Sequence, residues 1–141
     1  NITIIKNFSN LGQSKSIHTG IKASKYNVIV TLDGDGQNNP ADIPVLVKEY
    51  FKFKNYSLIG GIRVKRKDSF LKRISSKIAN KVRSAILNDN CSDTGCSLKI
   101  FDKNIFLSFP FFDGMHRFLP ALFSGYNKET KFINVDHRKR R

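Results

Sequence analysis

Apolar positions along the chain recur with two periods, and their alternation predicts strands and helices in turn. Ile2-Thr3-Ile4-Ile5 and Val28-Ile29-Val30-Thr31-Leu32 are short, β-branched runs that read as strands, the second apolar enough to be covered on both faces. Between them, an Asn10-Leu11-Gly12 turn leads into a helix over residues 13–24, with Ile17 and Ile21 four residues apart on one face. After a polar, Gly-rich loop at 33–39, Asn39 serves as N-cap, Pro40 takes the first helical position, and Asp42 lies in the first turn, where the helix dipole favours a carboxylate. Ile43, Leu46, Val47 and Tyr50 continue that helix at helical spacing.

The same alternation runs on to the end. Residues 57–62 read as a strand ending in Gly60-Gly61, and residues 69–87 as a long helix in which Phe70, Ile74, Ile78, Val82 and Ile86 recur every four positions. A strand at 97–101, a short helix at 102–107, a helix at 116–124 and a strand at 131–135 follow. Strands alternating with helices predict an α/β fold, a mostly parallel sheet flanked by helices, with ligands at the carboxyl ends of the strands. The 141 residues suit one domain, 1–141, without repeats or low-complexity linkers. The chain opens directly on a strand and stops in the basic run His137-Arg138-Lys139-Arg140-Arg141, so the expectation is a partial domain with both ends missing.

Charge narrows the partners. With 25 Lys+Arg against 11 Asp+Glu, the formal charge is +14, which favours an anionic partner: a phosphorylated substrate, an acidic lipid surface or nucleic acid. No apolar run approaches the roughly 20 residues that span a bilayer. Cys91 and Cys96, the chain's two cysteines, are too few for a zinc site and read as buried, neutral thiols in a reducing compartment.

Two of the eleven acids stand together where the second strand runs out, in Asp33-Gly34-Asp35-Gly36-Gln37. In extended chain, residues two apart point the same way, so Asp33 and Asp35 present paired carboxylates to a hard divalent cation. Magnesium takes one or two such carboxylates and leaves its other positions to water and phosphates. Gly34 and Gly36 allow the bend and the close approach of a ligand, and Gln37 adds a neutral oxygen. The rest of an EF-hand loop is missing, and so is a Walker A phosphate loop. A polar turn whose carboxylates cap the next helix is the competing reading of the loop.

The strand followed by Asp33-Gly34-Asp35-Gly36-Gln37-Asn38-Asn39-Pro40 resembles the metal-binding motif of the family 2 glycosyltransferases, and within them the polyprenyl-phosphate sugar transferases, the group of dolichyl-phosphate mannose synthase and its bacterial counterparts. Their usual D-A-D-L-Q-x-P-P is altered here by Gly34, Gly36 and Asn39, while Asp33, Asp35 and Gln37 are kept. Other segments match in order: Asn10-Leu11-Gly12-Gln13-Ser14-Lys15, the G-x-R segment at Gly61-Ile62-Arg63, Lys72-Arg73-Ile74-Ser75-Ser76, Asp93-Thr94-Gly95-Cys96, Phe112-Asp113-Gly114-Met115-His116-Arg117-Phe118-Leu119-Pro120, and Val135-Asp136-His137-Arg138. The resemblance covers nearly the whole chain. It implies a GT-A type nucleotide-sugar-binding domain, with a nucleotide-binding D-D-x-S segment before Asn1 and, in many members, membrane helices after Arg141.

The implied reaction moves a sugar from a nucleotide-diphosphate sugar to a polyprenyl (undecaprenyl or dolichyl) phosphate, with Mg2+ or Mn2+ held by Asp33, Asp35 and Gln37. Gly12, Lys15, Asp33, Gly34 and Asp35 are the candidates for the nucleotide sugar. Arg63, Arg66, Arg73, Ser76 and Arg138 are those for the acceptor phosphate, since the planar arginine fork suits phosphate. Asp35 is the expected direct metal ligand and catalytic carboxylate. Asp93 is the second catalytic candidate; orienting the acceptor, acting as base toward a hydroxyl and capping a turn are the roles open to it. An acceptor phosphate is already anionic near neutral pH, so positioning and electrostatics carry most of the work.

The helix at 69–87 carries Lys72, Arg73, Lys77, Lys81 and Arg83 around its apolar stripe, a basic rim suited to anionic headgroups. The run Phe109-Pro110-Phe111-Phe112 reads as buried, with membrane contact as the alternative. The expected location is the cytoplasmic face of a membrane. This reading involves no nucleic acid. A basic nucleic-acid-binding module and a metal-dependent nucleotidyltransferase stay as alternatives: the first rests on charge without any helix-turn-helix, RRM or KH signature, the second on the same two-carboxylate logic.

Overall fold

The computed structural model describes residues 2–52, 56–64, 87, 91–126 and 129–138. Helix α1, Gly12–Ala23, leads to strand β1, Val28–Thr31. The acidic loop follows, then a 3-10 turn at Pro40–Asp42 that runs into helix α2, Ile43–Lys52. Asn39 caps that turn, its side chain accepting from the Ala41 N–H, as the Asn-Pro pair predicts. Strand β2, Tyr56–Val64, and strand β3, Lys99–Asp102, are followed by the short helix α3, Lys103–Ser108, with Asp102 accepting from the Ile105 N–H as its N-cap. A 3-10 turn at Met115–Arg117, helix α4, Leu119–Gly125, and strand β4, Glu129–Asp136, complete the order. The helix expected over 69–87 lies outside the described residues apart from Leu87.

The four strands lie in the order β1-β3-β2-β4. β3 runs antiparallel to both neighbours, with Ile29 opposite Phe101 and Ile59 opposite Ile100, while β2 and β4 are parallel. The sheet is therefore mixed rather than mostly parallel: three strands share one direction and β3 is inserted against them. The physical reason is that an apolar run buried on both faces fits a central position in either direction. Residues 98–101 met that requirement without stating their orientation.

Alternation along the strands sorts the core into two layers. On one face Ile29, Leu58 and Phe101 pack with Ile21 of α1, Phe106 of α3 and Phe123 of α4. On the other, Ile59, Ile100, Leu98 and Val135 pack with Leu46 of α2. Phe101, Leu58 and Ile100 are wholly buried, each stabilising the fold by about 1.5–3 kcal/mol relative to exposure. Close packing also fixes the glycines of β2: a Cβ at Gly61 would lie 2.7 Å from Val135 Cγ2 and 3.0 Å from Cys96 Sγ.

Ile2-Thr3-Ile4-Ile5 is not a strand here. The segment has no regular structure, and Ile2 and Ile4 are 95% and 87% exposed, because no described strand offers it a ladder to join. The Phe109 run divides: Phe109 is buried against Phe123 and Tyr126, while Phe111 and Phe112 are exposed. Cys91 and Cys96 are both buried, and burial raises the Cys96 pKa. Among the described residues, no helix is long and apolar enough to cross a membrane.

Candidate functional site

The site forms where β1 ends. Thr31 is the last residue of the strand, and its hydroxyl donates to the Ser97 carbonyl at 2.6 Å, tying β1 to the segment before β3. The Ser97 hydroxyl accepts from the Asp33 N–H and donates to Asn38 Oδ1 at 2.8 Å, so the acidic loop is closed over a fixed serine. Within the loop, Asp35 Oδ1 accepts from the Gln37 N–H, an Asx turn that aims the carboxylate, and Gly36 adopts φ +75. The chain after β4 seals the outer side: the Arg138 N–H donates to the Gln37 carbonyl at 2.8 Å, and Asn38 forms an isolated bridge with His137.

This packing leaves two neighbouring spaces that share lining residues. A polar cavity of about 20 Å3 is lined by Asp33, Asp35, Gln37, Asn38, Ser97 and His137, with Arg63 and Gly95 closing it. Beside it lies a cleft of about 1030 Å3, whose polar wall includes Gln13, Asp33, Arg63, Asp93, Lys99 and His116. Asp33, Arg63, Gly95 and Ser97 border both. Among the described residues, no cluster of three or more His, Cys, Asp or Glu side chains is preassembled. Two carboxylates with amide, hydroxyl and imidazole groups around a small polar cavity still match a cation that keeps water and substrate oxygens as its other ligands.

Arg63 and Asp93 form the firmest contact in the site. Arg63 donates from Nε to Asp93 Oδ2 at 2.8 Å and from Nη2 to Oδ1 at 2.7 Å, and its backbone N–H adds a bond to Oδ2 at 3.1 Å. The Asp93 side chain is buried, at 6% exposure, and that of Arg63 is partly buried, at 13%. The fork needs Gly95, since a Cβ there would stand 2.9 Å from Arg63 Nη2. Under the loop, the buried Lys99 ammonium donates to the carbonyls of Cys96 and Thr94. Burial lowers its pKa, and Cys96, Cys91, Asp93 and Asp33 oppose that shift.

The residues expected at the site fall into groups. Asp33, Asp35 and Gln37 surround the small cavity, and Asp33, Gly34, Arg63 and Asp93 meet in the cleft. Gly12 opens α1 with φ +75 and lines neither space, although its neighbour Gln13 donates to Asp33 at 3.3 Å. Lys15 points elsewhere, its Nζ resting 4.9 Å from the centre of the exposed Phe111 ring. Arg138 lines neither space: its Nη2 donates to Asn39 Oδ1 at 2.8 Å on the outside of the acidic loop. Arg66, Arg73 and Ser76 lie outside the described residues. Motif reading gave no role to His137, Ser97, Lys99 or His116. His137 and His116 stood inside quoted motifs, so a signal existed; the buried Lys99 had none beyond a cation inside an apolar strand.

Residues 1–108 match the family described as glycosyl transferase family 2. The chain is 38% identical over 142 residues to a dodecaprenyl-phosphate galacturonate synthase of Rhizobium johnstonii, covering 99% of this chain and 42% of that protein. It is 30% identical over 131 residues to an undecaprenyl-phosphate 4-deoxy-4-formamido-L-arabinose transferase of Aeromonas hydrophila, covering 93% of this chain and 40% of that protein. The chain thus spans about two fifths of the length of these curated relatives. In fold it is similar to glucosyl-3-phosphoglycerate synthase from Mycobacterium tuberculosis, solved with Mn2+, UDP-glucose and phosphoglyceric acid, at TM-score 0.69 and 15% identity over 92% of this chain and 48% of that one.

Proposed function

The chain belongs to glycosyltransferase family 2, and from that footing we propose that it supplies the metal-binding and acceptor-side half of an enzyme that transfers a sugar from a nucleotide diphosphate to a polyprenyl phosphate. The observation that carries this reading is the junction of the two spaces. Paired carboxylates face a cation-sized polar cavity, and the Arg63–Asp93 pair stands between that cavity and a cleft large enough for substrate. The relatives named for dodecaprenyl- and undecaprenyl-phosphate sugar transfer support the acceptor class.

Asp33 and Asp35 would hold a divalent cation, Mg2+ or Mn2+, with Gln37 and His137 beside them. When bound, it would supply Lewis-acid stabilisation of charge gathering on the leaving diphosphate. Arg63 presents fixed positive charge on the same side, its plane set by Asp93 before substrate arrives. Such preorganised charge costs no reorganisation during reaction. Asp93 already accepts three hydrogen bonds from Arg63, most of the roughly four a carboxylate can take. We therefore assign it to orienting Arg63 rather than to removing a proton. An anionic acceptor oxygen needs no base, so the chemistry is consistent with that assignment. Gly34 and Gly36 let the diphosphate approach the backbone. Arg66, Arg73 and Ser76 remain proposed acceptor-phosphate contacts on motif grounds, and the basic surface favours an anionic membrane face.

The test is incubation of the full-length enzyme with a panel of nucleotide-diphosphate sugars and a short polyprenyl phosphate in Mg2+ or Mn2+. Glycosyl lipid with release of nucleoside diphosphate is the expected product. Release of sugar 1-phosphate with transfer of the nucleotidyl group would show the nucleotidyltransferase chemistry instead.

A further inference from the structure

The segment carrying His116 and Arg117 has no role in the scheme above, yet it is tied into the cleft. Ser14, in the first turn of α1, lies 2.6 Å through its Oγ from Nδ1 of His116, 102 positions along the chain. The same oxygen accepts from the Gly114 N–H at 3.0 Å. Ser14 is buried, at 4% exposure. Its hydroxyl carries one proton, and among the described residues the only acceptor within reach is His116 Nδ1. That proton assignment makes Nδ1 an acceptor and places the imidazole proton on Nε2. His116 lines the cleft with Gln13, Asp33, Lys99 and Arg117. Gly114, at φ +86, provides the left-handed turn that brings the ring over Ser14.

We propose that His116 is a substrate-binding residue, presenting a neutral Nε2–H to a phosphate oxygen in the cleft, with Ser14 as the positioning residue that fixes the tautomer. The inference rests on the reading of the cleft as the sugar-transfer site. Phosphate is the chemistry that fits, because the same walls carry Lys99, Arg117 and Arg63 against Asp33 and Asp93, a cationic surplus led by Arg117 that favours an anionic oxygen over a hydroxyl. The neutral state is supported by the surroundings: burial lowers the His116 pKa, Arg117 and Lys99 lower it further, and Asp33 opposes them. A neutral imidazole donates one directed hydrogen bond, and its orientation is set by the partner on its other nitrogen. The phosphate has two sources, the donor's diphosphate and the lipid phosphate.

Full-length enzyme labelled with 15N-histidine tests this directly, with His116 assigned by the signal lost in His116→Gln. The expected spectrum shows an unprotonated Nδ1 and a protonated Nε2 at neutral pH; a protonated Nδ1 overturns the proposal. Adding UDP with Mg2+, and separately farnesyl phosphate, is expected to shift the Nε2 resonance with one of them, which identifies the source. A resonance that moves with neither overturns the contact. In transfer assays, His116→Ala is expected to lower kcat/KM by about 10²-fold, the scale of one preorganised donor. His116→Gln, whose amide N–H occupies the position of Nε2, is expected to stay within about 10-fold of wild type. Ser14→Ala is expected to scramble the tautomer signal while the fold is kept. Equal losses in the Ala and Gln variants with unchanged spectra contradict a donor role. A wild-type protein that transfers no sugar, yet shows the phosphate shift at His116, sinks the reaction but leaves this contact standing.

Discussion

Arg63 clasps Asp93 side-on, Nε to Oδ2 at 2.8 Å and Nη2 to Oδ1 at 2.7 Å, across a sequence gap of 30 residues. The pair joins the end of β2 to the loop before β3, so one contact serves the fold and the site together. Its consequences for stability and for catalysis separate experimentally.

Asp93→Ala leaves a partly buried guanidinium without its carboxylate, and the expected loss of stability is about 2–4 kcal/mol by urea unfolding, below the range for a fully buried pair. The double variant Arg63→Met, Asp93→Leu is expected to recover most of that stability and none of the transfer activity. A single variant within about 1 kcal/mol of wild type would show that the pair anchors nothing.

Gly95→Ala tests the fork's geometry. The new methyl would stand 2.9 Å from Arg63 Nη2, so the guanidinium must shift. A loss of roughly 10-fold or more in kcat/KM, with a small change in melting temperature, is expected if Arg63 works by position. Unchanged kinetics would remove Arg63 from the reaction.

Lys99 is a buried cation whose pKa is lowered by burial. Between its folded pKa and the ordinary 10.5, the unfolded chain binds more protons than the folded one, so this group makes stability rise with pH across that window. The penalty is full below the folded pKa. Lys99→Met is expected to abolish that rise, seen as the difference between wild-type and variant stability curves toward alkaline pH. Taking the difference is needed because burial raises Tyr50 and Cys96, which act in the opposite direction. Parallel curves would mean that Lys99 is not desolvated.

Glu49 accepts from Lys131 at 2.7 Å, linking α2 to β4, and that hydrogen bond holds its pKa below the ordinary 4.5. A depressed carboxylate contributes stability present above the unfolded pKa and lost as pH falls through the folded one. Glu49→Gln is expected to flatten the fall in melting temperature below about pH 4.5, leaving neutral-pH behaviour close to wild type. An unchanged acid limb would contradict the pairing.

Much of this site was legible in the order of residues. An apolar strand that stops at an Asp-x-Asp loop, followed by Asn39-Pro40, announces both the strand end and the next helix cap, and the structure has both. Arg63 and Asp93 were each visible as motif residues. Their pairing was not, because no periodicity relates β2 to a loop 30 residues later. Ser14 and His116 are hidden for the same reason over 102 positions. The reversed direction of β3 escaped because burial on both faces is written in the side chains, whereas direction is set by connections elsewhere. Ile2-Thr3-Ile4-Ile5 shows the converse error: a strand-like composition signals a surface that wants a ladder, and among the described residues it has none. Lys15, expected at the nucleotide from its position in a motif, rests its Nζ 4.9 Å from the centre of the Phe111 ring, a contact that sequence order does not announce.

The central claim is that the paired carboxylates hold the cation on which sugar transfer depends. Asp35→Asn in the full-length enzyme, assayed for glycosyl lipid across a Mg2+ and Mn2+ titration with melting temperature measured in parallel, addresses it most directly. The expected result is a loss of metal-dependent transfer on the order of 10²–10³-fold with an unaltered fold. Full activity with an unshifted metal titration would contradict it.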